Sequence, residues 1–135
     1  MFKKYGIIVA VLLVMVLLVS GCTQGKQDPI EKLASEAEQE TLVYFKSKHC
    51  PVCDEQNPVF EEVKEKENEN FNFVTVDVDD FKNRDIVDIF NVNMLPTFVV
   101  IHKDGSVYTI EEGFRSEVQL TNLLEDAVKA SPKGE

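Results

Sequence analysis

Basic residues are scarce in this chain, in which 14 lysines and arginines stand against 24 aspartates and glutamates, for a formal net charge of −10. A surface of this charge repels phosphate, so we expect no nucleic-acid partner. Long apolar stretches are also missing: the longest, Ile7 to Val19, has 13 residues, whereas a membrane-spanning helix needs about 20. The chain contains no internal repeat and no low-complexity block. The composition therefore favours one acidic globular domain.

Cysteine is also rare, with three residues in the chain. The first of them follows two lysines and the apolar run, and Val19-Ser20-Gly21-Cys22 resembles the lipobox of bacterial lipoproteins. The resemblance implies a signal peptide over residues 1–21, a diacylated Cys22 as the new N-terminus, and a tether over residues 22–28. Two acyl chains are what stable anchoring needs, so we expect an extracytoplasmic protein held at the cell membrane by lipid. The alternative is an uncleaved signal anchor with an incidental cysteine.

The number of remaining cysteines is consistent with an extracytoplasmic location. If Cys22 carries lipid, Cys50 and Cys53 remain as an even pair, as expected in an oxidising setting. Without residues 1–21, the 135-residue chain keeps 114 residues, enough for one domain with a core of its own. We expect that domain over residues 29–130, followed by a C-terminal tail over residues 131–135.

A strand, a loop and a helix carry this cysteine pair. Leu42 to Phe45 are apolar at every position, which predicts a central strand covered on both faces. The strand leads to Cys50, and Pro51 suits the first position of a following helix. Cys50 then lies at a helix N-terminus, where unpaired N–H groups and the helix dipole favour its reactive thiolate form. We expect Cys50 to attack a disulfide and Cys53, one turn on and better packed, to resolve the mixed disulfide.

Hydrophobic periodicity and turn signals predict the remaining elements. In chain order they are a helix from Asp28, the active-site helix after Cys50, a strand over Phe71 to Val78 parallel to the first, a helix within residues 79–93, a strand over Phe98 to Ile101, a hairpin into Val107 to Ile110, and a final helix capped by Ser116 and Gln119. The side chains of the last three helices predicted to face the core are Val52, Gln56, Val59, Phe60, Val63, Ile86, Ile89, Phe90, Leu120, Leu123, Leu124, Ala127 and Val128.

The order of these elements resembles the thioredoxin fold. Cys50-Pro51-Val52-Cys53 opens the helix after the first strand, Pro58 follows within that helix, Pro96 precedes the third strand, and Gly113 follows the last strand. Over about Pro29 to Lys129 the chain is thus similar to thioredoxin-like thiol-disulfide oxidoreductases. The implied fold is α/β, with a central mixed four-stranded sheet flanked by helices. It leaves little or no room for the extra N-terminal strand of full-length thioredoxin.

The resemblance also implies the roles of the site residues. Cys50 and Cys53 form a redox-active disulfide, and Leu95-Pro96-Thr97 faces it with a cis peptide bond before Pro96 and main-chain groups free to pair with substrate. The resemblance implies an enzyme that acts on thiols or disulfides of exported proteins. We expect this enzyme to be a monomer without cofactor or metal. A reductant of this kind needs a membrane-embedded thiol electron-transfer partner, and an oxidant needs a quinone-linked or small-molecule reoxidant.

Several positions depart from the thioredoxin pattern. His49 stands in place of the tryptophan before the first cysteine, Tyr44 in place of a buried acid, and Thr75 in place of the lysine that partners that acid. The usual proton relay is therefore absent or rebuilt. The Pro-Val pair between the cysteines leaves the direction of electron flow open. Two interpretations of His49 also stay open: when protonated it lowers the pKa of the Cys50 thiol, or it is an exposed loop residue without catalytic effect.

Two alternative functions belong to other classes. The side chains of Cys50, Cys53, His49 and His102 are ligand types suited to zinc or copper. His102, however, follows Pro96 along a strand and lies about 20 Å from it at roughly 3.3 Å per residue. The metal-binding alternative is therefore a two-cysteine Cu(I) site. The other alternative is a redox-inert adhesion or docking domain.

Overall fold

The computed structural model describes Leu33 and residues 38–132. The predicted signal peptide, Cys22, the tether, most of the predicted first helix and the end of the tail lie outside the described residues, as does most of the region where an extra N-terminal strand would fall. Leu33 is helical and packs against the core. Within the described range, no helix combines the length and the apolar character that a membrane crossing requires.

A four-stranded mixed sheet forms the centre of the domain. Its strands are β1 (Glu40–Lys46), β2 (Phe71–Asp77), β3 (Thr97–Ile101) and β4 (Val107–Glu112), in the order β2-β1-β3-β4. β1 is parallel to β2 and antiparallel to β3, and β3 is antiparallel to β4. The predicted α/β class, the strand directions and the central place of the first strand are therefore confirmed.

Helices cover both faces of this sheet. They are α1 (Pro51–Glu67), α2 (Arg84–Ile89), which follows a 3-10 turn at Phe81–Asn83, and α3 (Glu117–Ala130). Because successive strand residues point to opposite faces, β1 and β3 contribute to a core on each side. The buried residues on the side of α1 and α3 are Leu42, Tyr44, Phe60, Val63, Phe71, Phe98, Val100, Leu120, Leu124 and Ala127. Those on the other side are Val43, Phe45, Val76, Phe90, Val99 and Ile101.

Three apolar residues that were predicted to face the core are exposed. Val52 of α1, Ile89 of α2 and Val128 of α3 are 42%, 44% and 51% exposed. Each lies at the edge of its helix's buried stripe or outside it. In α1 the buried positions are Cys53, Gln56, Phe60 and Val63, and Val52 lies at the edge of that stripe, in the first turn of the helix. The predicted inward positions of these three residues were wrong.

The ends of the elements follow the predicted local signals. Cys50 is the N-cap of α1, and Pro51 is its first residue. Ser116 and Gln119 form the predicted capping box of α3. Gly113 has a φ of +88°, a backbone conformation that favours glycine in the turn after β4. Short sequence motifs therefore set the boundaries that position the cysteine pair.

Candidate active site

The two cysteines lie where α1 begins, just beyond the C-terminal end of β1. They form a disulfide with their Cα atoms 5.2 Å apart. Cys53 is fully buried, whereas Cys50 is half-buried. Cys50 is the N-cap of α1, and its Sγ accepts a hydrogen bond from the backbone N–H of Cys53 over 3.1 Å. This donor and the helix dipole would stabilise a negative charge on the Cys50 sulfur, which is also the more accessible of the two.

A carboxylate that follows β2 holds the loop before Cys50. Asp79 Oδ2 accepts hydrogen bonds from the Ser47 hydroxyl over 2.8 Å and from the Lys48 N–H over 3.3 Å. The Ser47 Oγ in turn accepts the N–H of His49 over 2.9 Å. The main chain is therefore fixed up to the residue before Cys50. Asp79 was not predicted as a site residue, although an acidic residue just beyond the end of a parallel neighbouring strand was the available signal.

Tyr44 lies on β1 under the active-site helix. Its side chain is 1% exposed, and its ring stacks on that of Phe98 with centroids 5.0 Å apart. The hydroxyl donates towards the Cys53 carbonyl oxygen at 3.3 Å and Asn57 Oδ1 at 3.1 Å. Burial, and after it the negative charge of Asp54, raises the pKa of Tyr44 to about 12. The phenol therefore stays protonated near neutral pH and acts as a hydrogen-bond donor.

The segment before β3 completes this end of the sheet. The peptide bond between Leu95 and Pro96 is cis, as predicted. Pro96 and Thr97 are buried and Leu95 is half-buried. The Thr97 hydroxyl donates to the Met94 carbonyl oxygen over 2.6 Å, and the Gly113 N–H donates to the Pro96 carbonyl oxygen over 2.7 Å. Because the start of β3 pairs with the ends of β1 and β4, this segment lies at the sheet end from which the cysteine loop emerges.

These features are those of one family. The family model named Thioredoxin matches residues 24–126. This is well over half of the 135-residue chain. The chain belongs to the thioredoxin family. Its relatives are thiol-disulfide oxidoreductases, and the Cys50–Cys53 disulfide supplies the redox pair. The predicted thioredoxin-like redox function of the domain is therefore confirmed.

Individual thioredoxins resemble this chain at moderate identity. The chloroplastic thioredoxin Y1 of Arabidopsis thaliana is 28% identical over 105 residues, which are 78% of this chain and 59% of that protein. The thioredoxin of Borreliella burgdorferi is 29% identical over 85 residues, 63% of this chain and 70% of that one. The crystal structure of chloroplastic thioredoxin z matches with a TM-score of 0.65 and 26% identity, over 79% of this chain and 91% of the other. The match thus spans less than two thirds of the Y1 protein's length.

The two histidines of the chain lie in different surroundings. His49 is exposed in the loop before Cys50. His102 is buried, and its Nδ1 lies 2.8 Å from Oε2 of Glu40 at the start of β1. The seven residues of β1 separate this pair from the cysteine loop by about 20 Å. The described part of the chain contains no group of three or more His, Cys, Asp or Glu side chains placed to hold a metal ion.

The two positions that carry the acid and the lysine in the thioredoxin pattern have hydroxyl groups in this chain. Tyr44 is the buried donor described above, and Thr75 is its exposed partner across the β1–β2 pair. Lys46, two residues after Tyr44, reaches Asn57 Oδ1 over 3.5 Å, so the same amide oxygen faces both side chains. The Tyr44 phenol and the Asn57 amide thus tie β1 to α1.

Gln56 is a further site residue; it was predicted to lie on the apolar face of α1, and no role was predicted for it. It is fully buried, and its side-chain amide bonds to the main chain of Arg115. A polar side chain within an apolar stripe was the signal that could have identified it.

Proposed function

We propose that this protein is a membrane-anchored, extracytoplasmic oxidoreductase that exchanges disulfides with exported proteins. The observation that supports the chemistry best is the Cys50 sulfur, half-buried at the N-cap of α1 and hydrogen-bonded to the N–H of Cys53. Such a sulfur is a better attacking group than the buried Cys53, to which we assign the resolving step. Leu95, Pro96 and Thr97 bind the main chain of the substrate.

The proposed reaction consists of two exchanges. The Cys50 thiolate attacks one sulfur of a substrate disulfide, forms a mixed disulfide, and releases the other substrate sulfur, which takes a proton from solvent. Cys53 then loses its proton and attacks the Cys50 sulfur, which releases the second substrate thiol. The substrate gains two electrons and two protons, and the cysteine pair is oxidised to its disulfide. In the reverse direction the same steps oxidise a substrate dithiol.

The anchor is proposed from the lipobox resemblance at Val19-Ser20-Gly21-Cys22, which lies outside the described residues. A diacyl group on Cys22 supplies the two chains that stable membrane binding needs. We expect the chain, produced in bacteria, to sediment with membranes and to incorporate labelled palmitate. Cys22→Ser should abolish both, whereas Cys50→Ser should abolish neither. A Cys22→Ser chain that stays in the membrane would favour the uncleaved signal anchor instead.

The reduction potential tests the redox proposal. We would equilibrate the segment from Thr23 to Glu135 against thiol-disulfide buffers, read the redox state by thiol alkylation, and use Cys50→Ser as control. A value near or below about −230 mV indicates a reductase that receives electrons from a membrane-embedded thiol partner. A value of about −120 to −180 mV indicates an oxidase or isomerase with a quinone-linked or small-molecule reoxidant. The absence of reversible exchange would overturn the proposal and favour a docking domain.

Metal analysis of the same protein tests the metal-binding alternative. Purification under reducing conditions leaves Cys50 and Cys53 as thiols, which are suitable ligands for Cu(I) or zinc. We expect full exchange activity without bound metal. Copper or zinc bound in a one-to-one ratio, and lost in Cys50→Ser, would instead support the metal-binding function.

A further inference from the structure

Gln56 is a polar side chain on the buried face of α1, where its exposure is 0%. Its Nε2 donates to the Arg115 carbonyl oxygen over 2.9 Å, and its Oε1 accepts the Arg115 N–H over 2.7 Å. One amide thus pairs with both main-chain groups of a single residue. Burying an amide is costly unless it is paired, and a leucine at this position would leave the Arg115 main chain without these partners.

This pairing fixes the segment 113–116, which connects β4 to α3. At one end of the segment, the Gly113 N–H donates to the carbonyl oxygen of Pro96 over 2.7 Å. At the other end, Ser116 caps α3. Gln56 holds Arg115 between these two points. The segment is therefore tied to the active-site helix and to the residue before β3 at once.

The fixed segment carries an exposed aromatic side chain, and Gln56 ties the segment to the helix that begins at the cysteine pair. Gln56 follows Cys53 by one helical turn, a rise of about 4.5 Å at 1.5 Å per residue. Phe114 directly precedes the main chain that Gln56 holds, and its side chain is 41% exposed. Val52 in the first turn of α1 and Met94 before β3 are 42% and 53% exposed. Large exposed apolar side chains thus come from three segments at this end of the sheet: the first turn of α1, the residues before β3 and the segment after β4.

We propose that Gln56 is a positioning residue for substrate selection: by holding the Arg115 main chain, it fixes Phe114 as an apolar contact beside the disulfide. The inference rests on the exchange function proposed above, because the molecule that binds to this surface is the substrate of that reaction. That occupant is a polypeptide segment whose cysteine sulfur reaches Cys50. Preferred substrates carry an apolar side chain next to the reacting cysteine, and Gln56 acts on them through Phe114.

The test compares substrates that differ at one residue. Two disulfide-linked peptides carry either leucine or serine after the cysteine, and kcat/KM is measured for each with the full chain in detergent. The wild type should prefer the leucine peptide, and Gln56→Leu should reduce that preference about five- to tenfold without moving the reduction potential. Gln39→Leu is the matched control, because Gln39 Nε2 also donates to a main-chain carbonyl, that of Glu69 over 2.7 Å, at the opposite end of the sheet.

Phe114→Ala provides a second arm, since this exposed side chain can be removed without opening the core. It should reduce the preference as much as Gln56→Leu does, and the double variant should reduce it no further. An equal loss with both peptides, a shifted reduction potential, a wild type without preference, or a Phe114→Ala variant that keeps the preference would overturn the inference. Failure of the exchange function itself looks different, because the wild type would then not react even with hydroxyethyl disulfide.

Discussion

The hydroxyl of Tyr44 donates a hydrogen bond to the carbonyl oxygen of Cys53, 3.3 Å away, and so connects the central strand to the first turn of the active-site helix. The same hydroxyl lies 3.1 Å from Asn57 Oδ1. Because the pKa of Tyr44 is raised to about 12, the group remains a donor in the pH range where thiols exchange. Tyr44 therefore supports the resolving cysteine by holding its main chain in place.

Tyr44→Phe should lower the free energy of unfolding of the oxidised protein by about 1 kcal/mol near pH 7, the net contribution of one hydrogen bond. The ring and its stacking on Phe98 remain in this variant, so that the change reports on the hydroxyl. Urea unfolding followed by circular dichroism measures this change in the free energy of unfolding. Tyr108→Phe on β4, where the tyrosine is half-buried, is the matched control. Equal stability of the Tyr44→Phe variant and the wild type would contradict a role for the hydroxyl.

The raised pKa of Tyr44 also predicts a loss of stability in alkali. In the unfolded chain the phenol ionises near its ordinary value of 10.0, and in the folded chain near about 12. Between these values the unfolded state binds fewer protons, so the free energy of unfolding falls as the pH rises. Two pKa units correspond to a loss of at most about 3 kcal/mol.

Urea unfolding across this alkaline range, compared with Tyr44→Phe, isolates the effect, because the other titrating groups are common to both proteins. The wild type should be the more stable protein near neutral pH and the less stable one in strong alkali. Parallel curves for the two proteins would show that Tyr44 ionises alike in the folded and unfolded states.

Much of the fold could be predicted from the sequence because its signals are local. The apolar run of β1, Pro51 after the N-cap cysteine, and the Ser116 capping box each specify a boundary within a few residues. Helical periodicity was less precise, since it locates the centre of a buried stripe better than its edges. Val52 and Val128 lie at such edges, and only the packing of neighbouring elements determines their exposure.

The cysteine pair and the residue before β3 could also be predicted, but their supports could not. The bond from Ser47 to Asp79 and that from Gln56 to Arg115 join residues 32 and 59 positions apart. Such pairs depend on strand order and helix docking, which a single sequence does not reveal at atomic distance. Tyr44 was noticed as a departure from the family pattern, although its partners in α1 were not.

Asp79→Ala should loosen the loop that leads to Cys50. It removes the acceptor of two hydrogen bonds, from Ser47 and Lys48, and should cost about 1–2 kcal/mol of stability. Because a mobile loop holds the nucleophile less well, we expect reaction with hydroxyethyl disulfide to slow by roughly two- to fivefold. Stopped-flow measurements on the reduced protein test this, with the exposed Asp88→Ala as control. An unchanged rate would show that α1 alone positions the sulfur.

Glu40→Ala should reduce stability without altering the redox chemistry. It removes the carboxylate that lies 2.8 Å from His102 Nδ1, and leaving a buried polar group without its partner costs roughly 2 kcal/mol. The pair lies at the end of β1 opposite the cysteines, so the reduction potential should equal that of the wild type. Urea unfolding and thiol-disulfide equilibration measure the two quantities. A changed potential would indicate coupling along the strand.

His49→Gln tests whether the exposed imidazole affects Cys50. We propose that protonated His49 lowers the pKa of the Cys50 thiol, an effect that solvent weakens because the side chain is exposed. The variant should raise that pKa at low salt. The difference should vanish near 1 M salt, where the screening length is about 3 Å. The pH dependence of alkylation reports the pKa, and His102→Gln is the control. Identical profiles would assign His49 no catalytic effect.

The central position of β1 has a consequence for the dynamics of the disulfide. The strand is hydrogen-bonded to β2 on one side and β3 on the other, and it is buried from Glu40 to Phe45. Amide hydrogens in such a strand exchange with deuterium only when the whole domain opens. The loop to Cys50 therefore starts from a strand whose amides should be slow to exchange, and local opening at the edges of the domain should leave the start of that loop in place.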